Sequence, residues 1–201
     1  MHRDGDWHPA LHIWVGGVDA DGLPFVLFQR RSMTKDTWPG ALDVAIGGHL
    51  RAGETIDETV REAEEEIGLR LAPADLAHVG RRFSDSRHSG VVDREMQEIF
   101  ACRSDLALTA YRLHSDEVDA IVSLGIADAR RLFAGELKQA AAIECPRGGE
   151  PERRVVGLAD FVWVEGSYIL DALQALERVV AGQPVTPFEL RVAPGGEQRT
   201  P

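Results

Sequence analysis

Residues 47–69 read Gly47-Gly48-His49-Leu50-Arg51-Ala52-Gly53-Glu54, then Thr55-Ile56-Asp57-Glu58-Thr59-Val60, then Arg61-Glu62-Ala63-Glu64-Glu65-Glu66-Ile67-Gly68-Leu69. Thr55 followed by Glu58 has the form of a capping box, and Gly68 is the residue type that ends a helix, which bounds a helix at Ile56–Ile67. Within it Ile56, Val60, Ala63 and Ile67 share one stripe, while Glu58, Glu62, Glu65 and Glu66 share the opposite face. Like charges at this spacing cost roughly 0.2–0.5 kcal/mol per pair, and Arg61 is the one cationic partner on the helix. A solvated acidic face is the plain reading of such a helix. Here, however, a glycine-containing loop delivers the chain directly to the carboxylates. Three oxygen ligands on one rigid surface suit Mg²⁺, which takes hard oxygens and keeps waters for substrate phosphates.

Upstream, Leu11, Ile13 and Val15 alternate with His12 and Trp14, Asp19–Pro24 supplies turn residues, and Phe25–Gln29 resumes an apolar run, predicting two strands. Ser32–Leu42 reads as a loop and Asp43–Ile46 as a short strand feeding Gly47-Gly48. Downstream, Leu76–Phe83 and Glu95–Cys102 read as strands separated by a polar loop, Ser84–Arg94, with another strand at Val118–Leu124. Asp128–Phe133 suggests a short helix. Ser167–Val180 suggests a longer one behind a Ser167 cap, since Ile169, Leu170, Leu173, Leu176 and Val180 recur at helical spacing. Leu137–Val164 between them has the pattern of an extra hairpin turning at Pro146–Pro151. One domain over residues 1–183 is expected, followed by a tail at 184–201. The order of elements predicts an α/β fold, a mixed sheet with helices on its faces.

The chain of 201 residues is 44% apolar and 27% charged, as a globular domain is. Its formal charge of −11 argues against a nucleic acid polymer or an anionic membrane as partner. No apolar run approaches the ~20 residues of a membrane helix. With no apolar signal core near the N-terminus, a cytoplasmic location is expected. Cys102 and Cys145 stand in no metal-ligand spacing. An extra hairpin and a C-terminal helix offer surfaces on which two copies could pair as a homodimer.

The run Arg61-Glu62-Ala63-Glu64-Glu65-Glu66-Ile67-Gly68-Leu69 resembles the second half of the Nudix signature without a mismatch, and Gly48 with Glu54 resembles its first half. Six residues separate Glu54 from Arg61 where the family has seven. That departure bears on a salt bridge between Glu54 and Arg61 more than on the carboxylates downstream. The resemblance implies a Nudix-type α/β/α sandwich with a mixed β-sheet. It also implies that the Gly48 carbonyl, Glu62, Glu65 and Glu66 hold Mg²⁺ or Mn²⁺ for hydrolysis of a small-molecule diphosphate. Glu62 and Glu95 are the candidate general bases.

A second layer lies in Leu11-His12-Ile13-Trp14-Val15, in Gln29-Arg30-Arg31-Ser32-Met33-Thr34-Lys35, in Trp38-Pro39-Gly40 and in Gly47-Gly48-His49. These are similar to the Nudix branch related to isopentenyl-diphosphate isomerase. That resemblance implies an alternative metal site of His12, His49, Asp93 and Glu95, and a diphosphate held by Arg31 and Lys35. The isomerase's cysteine would fall at Gly47, which has no side chain to act as an acid, so isomerisation is disfavoured. A binding module without catalysis is the remaining alternative. Each residue also has a structural reading: His12 as a hydrogen-bonded strand histidine, Arg31 and Lys35 as a solvated basic cluster.

Overall fold

The structure, a computed structural model, describes residues 7–49, 60–88, 91–162 and 166–191, without the side chains of 86–88, 91–93, 166 and 191. The expected capping box at Thr55 and Glu58, the loop from Leu50 to Glu54 and the side chain of Asp93 lie outside it. Ten strands form one mixed sheet: β1 (Trp7–Val18), β2 (Pro24–Arg31), β3 (Leu42–Val44), β4 (Ile46–His49), β5 (Ala77–His88), β6 (Val91–Arg103), β7 (Val118–Gly125), β8 (Gln139–Pro146), β9 (Glu152–Gly157) and β10 (Phe188–Arg191). Three helices are described: α1 (Arg61–Ile67), α2 (Ile126–Phe133) and α3 (Gly166–Val180). The strand order is β10-β5-β6-β1-β2-β7-β8-β9, with β3 added to β2 and β4 to β1. β1 runs parallel to β6 and β10 parallel to β5, and the other pairs are antiparallel.

Strand alternation sends Leu11, Ile13 and Val15 of β1 to one face and Ala10, His12 and Trp14 to the other. The first face joins Leu27 and Ile46 and is covered by Ala63 and Ile67 of α1. The second joins Val26 and Phe28 and is covered by Ile126, Ala129 and Leu132 of α2 and by Tyr168, Leu173 and Leu176 of α3. These two layers make the α/β/α sandwich. α3 crosses β1 closely: a Cβ at Gly16 would meet the Phe25 carbonyl oxygen at 2.6 Å and Leu176 Cδ2 at 2.9 Å. Its apolar stripe is therefore spent inside the domain and is not available for a second copy.

β1 and β2 pair only over Val15–Val18 and Pro24–Leu27. Beyond that point they part, and the chain from Leu42 to His49 fills the gap, β3 pairing with β2 and β4 with β1. Buried Ala45 sits at the bend between them. Gly47-Gly48, expected in a loop, is thus strand, with Gly47 opposite His12 and Gly48 opposite Leu11.

The polar stretch Ser84–Arg94 is not a loop throughout. β5 and β6 continue into it as a paired hairpin, with Ser84 opposite Glu95 and Asp85 opposite Arg94. The ladder supplies backbone hydrogen bonds whatever the side chains, and Arg94 Nε donates to Asp85 Oδ2 at 3.2 Å. Leu137–Val164 holds the expected hairpin, β8 and β9 pairing antiparallel around the turn after Pro146, and β8 also pairs with β7, so the hairpin extends the main sheet. Within the expected tail, Phe188–Arg191 forms β10. α3 begins at Gly166, so Ser167 lies inside the helix rather than ahead of it. No helix among the described residues is long and apolar enough to cross a membrane.

The end of α1 is fixed from outside the helix. Gly68 closes it with φ of 71°, and its N–H donates to the Glu64 carbonyl. The carbonyls of Ile67 and Glu66 accept from the backbone N–H groups of Arg112 and His114 at 2.9 and 2.8 Å. A Cβ at Gly68 would stand 2.8 Å from Arg112 Cβ. Gly68→Ala is therefore expected to lower stability by at least about 1 kcal/mol, combining left-handed strain with that clash. Urea unfolding measures it, and an unchanged midpoint would show that the helix end tolerates a side chain.

Candidate functional site

α1 carries its carboxylates into different surroundings. Glu66 is 7% exposed, with Gln29 Nε2 of β2 directed at its Oε2 from 3.4 Å. Burial raises the Glu66 carboxyl to about 8, the Glu62 and Asp43 charges push the same way, and Lys35 and Gln29 oppose them. Glu62, one turn earlier, leans on β4: a Cβ at Gly48 would come within 3.2 Å of Glu62 Cγ. A glycine at position 48 therefore lets the helix carboxylate close onto the strand. Glu65 is exposed. The acidic side of α1, read from periodicity as a single face, is thus divided into a covered carboxylate, one packed on β4 and one open to solvent.

The basic residues of the β2 end lie beside this acidic group. Arg31 Nη1 donates to Asp43 Oδ2 at 2.9 Å, and its Nε and Nη2 donate to the Thr37 carbonyl at 3.1 and 3.0 Å. Lys35 Nζ pairs with Glu117 Oε2. Desolvation lowers the Lys35 pKa and Arg31 adds to that, while Glu66, Asp43 and Glu62 oppose it. Arg31, Lys35, Asp43, Glu62 and Glu66 therefore sense one another across the gap where β1 and β2 part. Both cations already hold carboxylates, so the solvated-cluster reading does not describe them.

Of the alternative site's described side chains, His49 and Glu95 meet and His12 stands apart from them. His49 Nε2 lies 2.8 Å from Glu95 Oε1, and the third member is His8, whose Nε2 is 3.7 Å from the same oxygen. One ligand atom from each of His8, His49 and Glu95 falls within 4.8 Å of the others. Pairing explains the assembly, since β6 sets Glu95 opposite His8 and β4 sets His49 opposite Ala10. Gln97 Nε2 donates to Glu95 Oε2 at 2.6 Å. Burial alone would raise the Glu95 carboxyl, but the His49 hydrogen bond, the His12 and His49 charges and Gln97 hold it at about 2. His12 is instead bonded through Nδ1 to the Tyr168 hydroxyl at 2.7 Å, and burial lowers its pKa against the pull of Glu95 and Asp43.

Sequence reasoning passed over His8, although it shares a β1 face with His12 at even spacing and strand alternation was enough to find it. Gln29, Asp43 and Glu117 carried no local signal. At Gly47 an added Cβ would meet Val44 Cγ1 at 3.5 Å and His12 Cδ2 at 3.8 Å, ordinary contacts. The backbone does not require glycine there, so the missing side chain is a chemical difference and not a folding constraint.

With this geometry in hand, the comparisons with known proteins agree on one family. The NUDIX domain model matches residues 10–143. An uncharacterised Nudix hydrolase of Clostridium acetobutylicum is 33% identical over 138 residues, 68% of this chain and 66% of that protein. Nudix hydrolase 3 of Arabidopsis thaliana is 31% identical over 142 residues, 68% of this chain and 18% of that protein. Isopentenyl-diphosphate Delta-isomerase of Escherichia coli strain HS is 31% identical over 112 residues, 55% of this chain and 58% of that protein. The match thus spans less than two thirds of each relative. Among solved structures, a Nudix hydrolase from Alicyclobacillus acidocaldarius superposes with a TM-score of 0.54 at 19% identity, over 90% of this chain and 99% of that one. The chain belongs to the Nudix hydrolase family.

The Glu66 environment sets a pH dependence. A carboxyl whose folded pKa is raised from 4.5 to about 8 holds its proton longer in the folded state than in the unfolded one. Its contribution to stability therefore falls as pH rises through that window and levels off above it. In chelator-treated protein, Glu66→Gln should exceed wild type in stability at pH 8 by at least about 1 kcal/mol and show little advantage at pH 4.5. Urea melts at both pH values measure the difference, and a variant less stable than wild type at pH 8 would contradict the assigned burial cost.

Proposed function

We propose that this chain is a divalent-metal-dependent hydrolase that cuts the diphosphate linkage of a nucleoside diphosphate derivative or another organic diphosphate. One observation carries the reading: Glu62 on Gly48 and buried Glu66 stand beside Arg31 and Lys35, so a cation-seeking surface adjoins an anion-seeking one. A metal-bridged diphosphate needs both.

The donor set fits Mg²⁺ or Mn²⁺, because the Gly48 carbonyl, Glu62, Glu65 and Glu66 offer only hard oxygens, and buried Glu66 lies among like charges. Such an ion, when bound, neutralises the diphosphate and acidifies a water. Lys35 and Arg31 orient the substrate's anionic oxygens, Lys35 exchanging Glu117 for them. Glu62 takes the proton of the attacking water. Glu95 suits that role less well, as one of its oxygens is engaged by His49 and the other by Gln97. The His8–His49–Glu95 cluster offers nitrogen ligands and suits a softer ion such as Zn²⁺. Cys102 and Cys145 are both free, as in a reducing compartment such as the cytoplasm. The isomerase relative favours a second reading, isomerisation of a prenyl diphosphate, against which stands the absent side chain at Gly47.

A panel of nucleotides, diphosphate esters and isopentenyl diphosphate, assayed with Mg²⁺ and Mn²⁺, tests this. Phosphate-bearing products are expected and no isomerised prenyl diphosphate. Glu66→Gln and Glu65→Gln should each lower metal-dependent turnover at least roughly tenfold. Wild-type rates in both would refute the metal assignment. Lys35→Ala should raise KM more than it changes the metal requirement, and less so at high salt. Arg31→Ala should raise KM too, with some loss of stability because Thr37 and Asp43 lose their donor. An unchanged KM in both would remove these two residues from substrate binding.

A further inference from the structure

We propose that Tyr168, on α3, holds His12 as a neutral imidazole protonated on Nε2, which keeps His12 Nε2 from serving as a cation ligand.

The Tyr168 hydroxyl is buried and has two neighbours. Trp14 Nε1 lies 3.0 Å away and His12 Nδ1 lies 2.7 Å away. An indole N–H can only donate, so Trp14 takes one lone pair of the phenol oxygen. The phenol proton then needs an acceptor, and among the described residues His12 Nδ1 is the one within reach. If His12 donated instead, the phenol oxygen would accept twice and its own proton would be buried unpaired, costing about 1–3 kcal/mol. The arrangement that satisfies every group runs Trp14 N–H to Tyr168 O, then Tyr168 O–H to His12 Nδ1. A neutral imidazole with Nδ1 accepting carries its proton on Nε2. Burial, which lowers the His12 pKa, acts in the same direction.

An Nε2 that bears a proton cannot bind a metal ion. This agrees with strand register, which sets His8 and not His12 beside His49 and Glu95. The ring carbon next to Nε2, Cδ2, is the atom 3.8 Å from where a Gly47 Cβ would stand. His12 also lines a recess with Asp43, Phe161, Val162 and Tyr168. Tyr168 is a positioning residue: it acts through His12 from a helix outside the acidic motif.

Two-bond ¹H–¹⁵N correlation spectra of the ¹⁵N-labelled, chelator-treated protein report the tautomer of each of the 7 histidines, with His12→Gln identifying the signal. The expected result is His12 protonated on Nε2 alone in wild type, and a loss of that preference in Tyr168→Phe, which keeps the ring in the core. A merely structural role for Tyr168 would shift the melting temperature without altering the tautomer. A His12 proton on Nδ1 in wild type, or an unaltered pattern in Tyr168→Phe, overturns the proposal. Zn²⁺ is then added alone. His8 and His49 signals should move while His12 keeps its Nε2 proton; loss of that proton on Zn²⁺ binding would also overturn it. Absence of any Zn²⁺ effect counts against the His8–His49–Glu95 site and leaves the tautomer result standing.

Discussion

The parting of β1 from β2 is the constraint on which the rest of the structure depends. A sheet cannot leave two central strands unpaired on their facing edges, because each buried N–H and C=O left without a partner costs as much as a lost hydrogen bond. Leu42–Val44 repairs one edge and Ile46–His49 the other, with a bend between them. That repair brings Asp43, Gly48 and His49 to the same end of the sheet. The site residues are gathered there because the backbone had to be satisfied there.

Charge is distributed against the average of the chain. A formal charge of −11 would repel any phosphorylated ligand. Around α1 burial, reinforced by the nearby Glu62 and Asp43 charges, pushes Glu66 toward its protonated form. Arg31 and Lys35 are held beside them by Asp43 and Glu117. The same group of residues thus sets three carboxylates beside two cations, the charge pattern on which the proposed metal–diphosphate site rests.

On the opposite face of β1 the polar residues behave differently. His12 and Trp14 both bond the Tyr168 hydroxyl, and Arg82 stacks 4.8 Å above the Tyr168 ring while donating to Gln97 at 3.0 Å. Gln97 in turn reaches Glu95 and the histidine cluster. α3 is therefore tied to the histidine cluster through Tyr168, Arg82 and Gln97. Family membership fixes neither substrate nor metal, since function resides in such local constellations and not in the sandwich that carries them.

How much of this was legible in the sequence follows from the range of the interactions involved. The strand positions, α2 and α3 and the acidic run of α1 were readable because hydrophobic alternation and helical spacing act over a few residues. Arg31, Lys35, Gly48, Glu62 and Glu66 were readable as types in a motif. The polar ladder at Ser84–Arg94 and the edge strand Phe188–Arg191 were not, because pairing with a distant strand supplied what composition seemed to deny them. The exchange of His12 for His8 was decided in three dimensions as well. Strand register placed His8 opposite Glu95, and a tyrosine 156 positions away claimed Nδ1 of His12. By itself the sequence determined the residue types of the motif and the elements on which they ride. Only the tertiary structure decided which of them meet, because a hydrogen bond or a buried charge depends on distances that the fold sets and local spacing does not record.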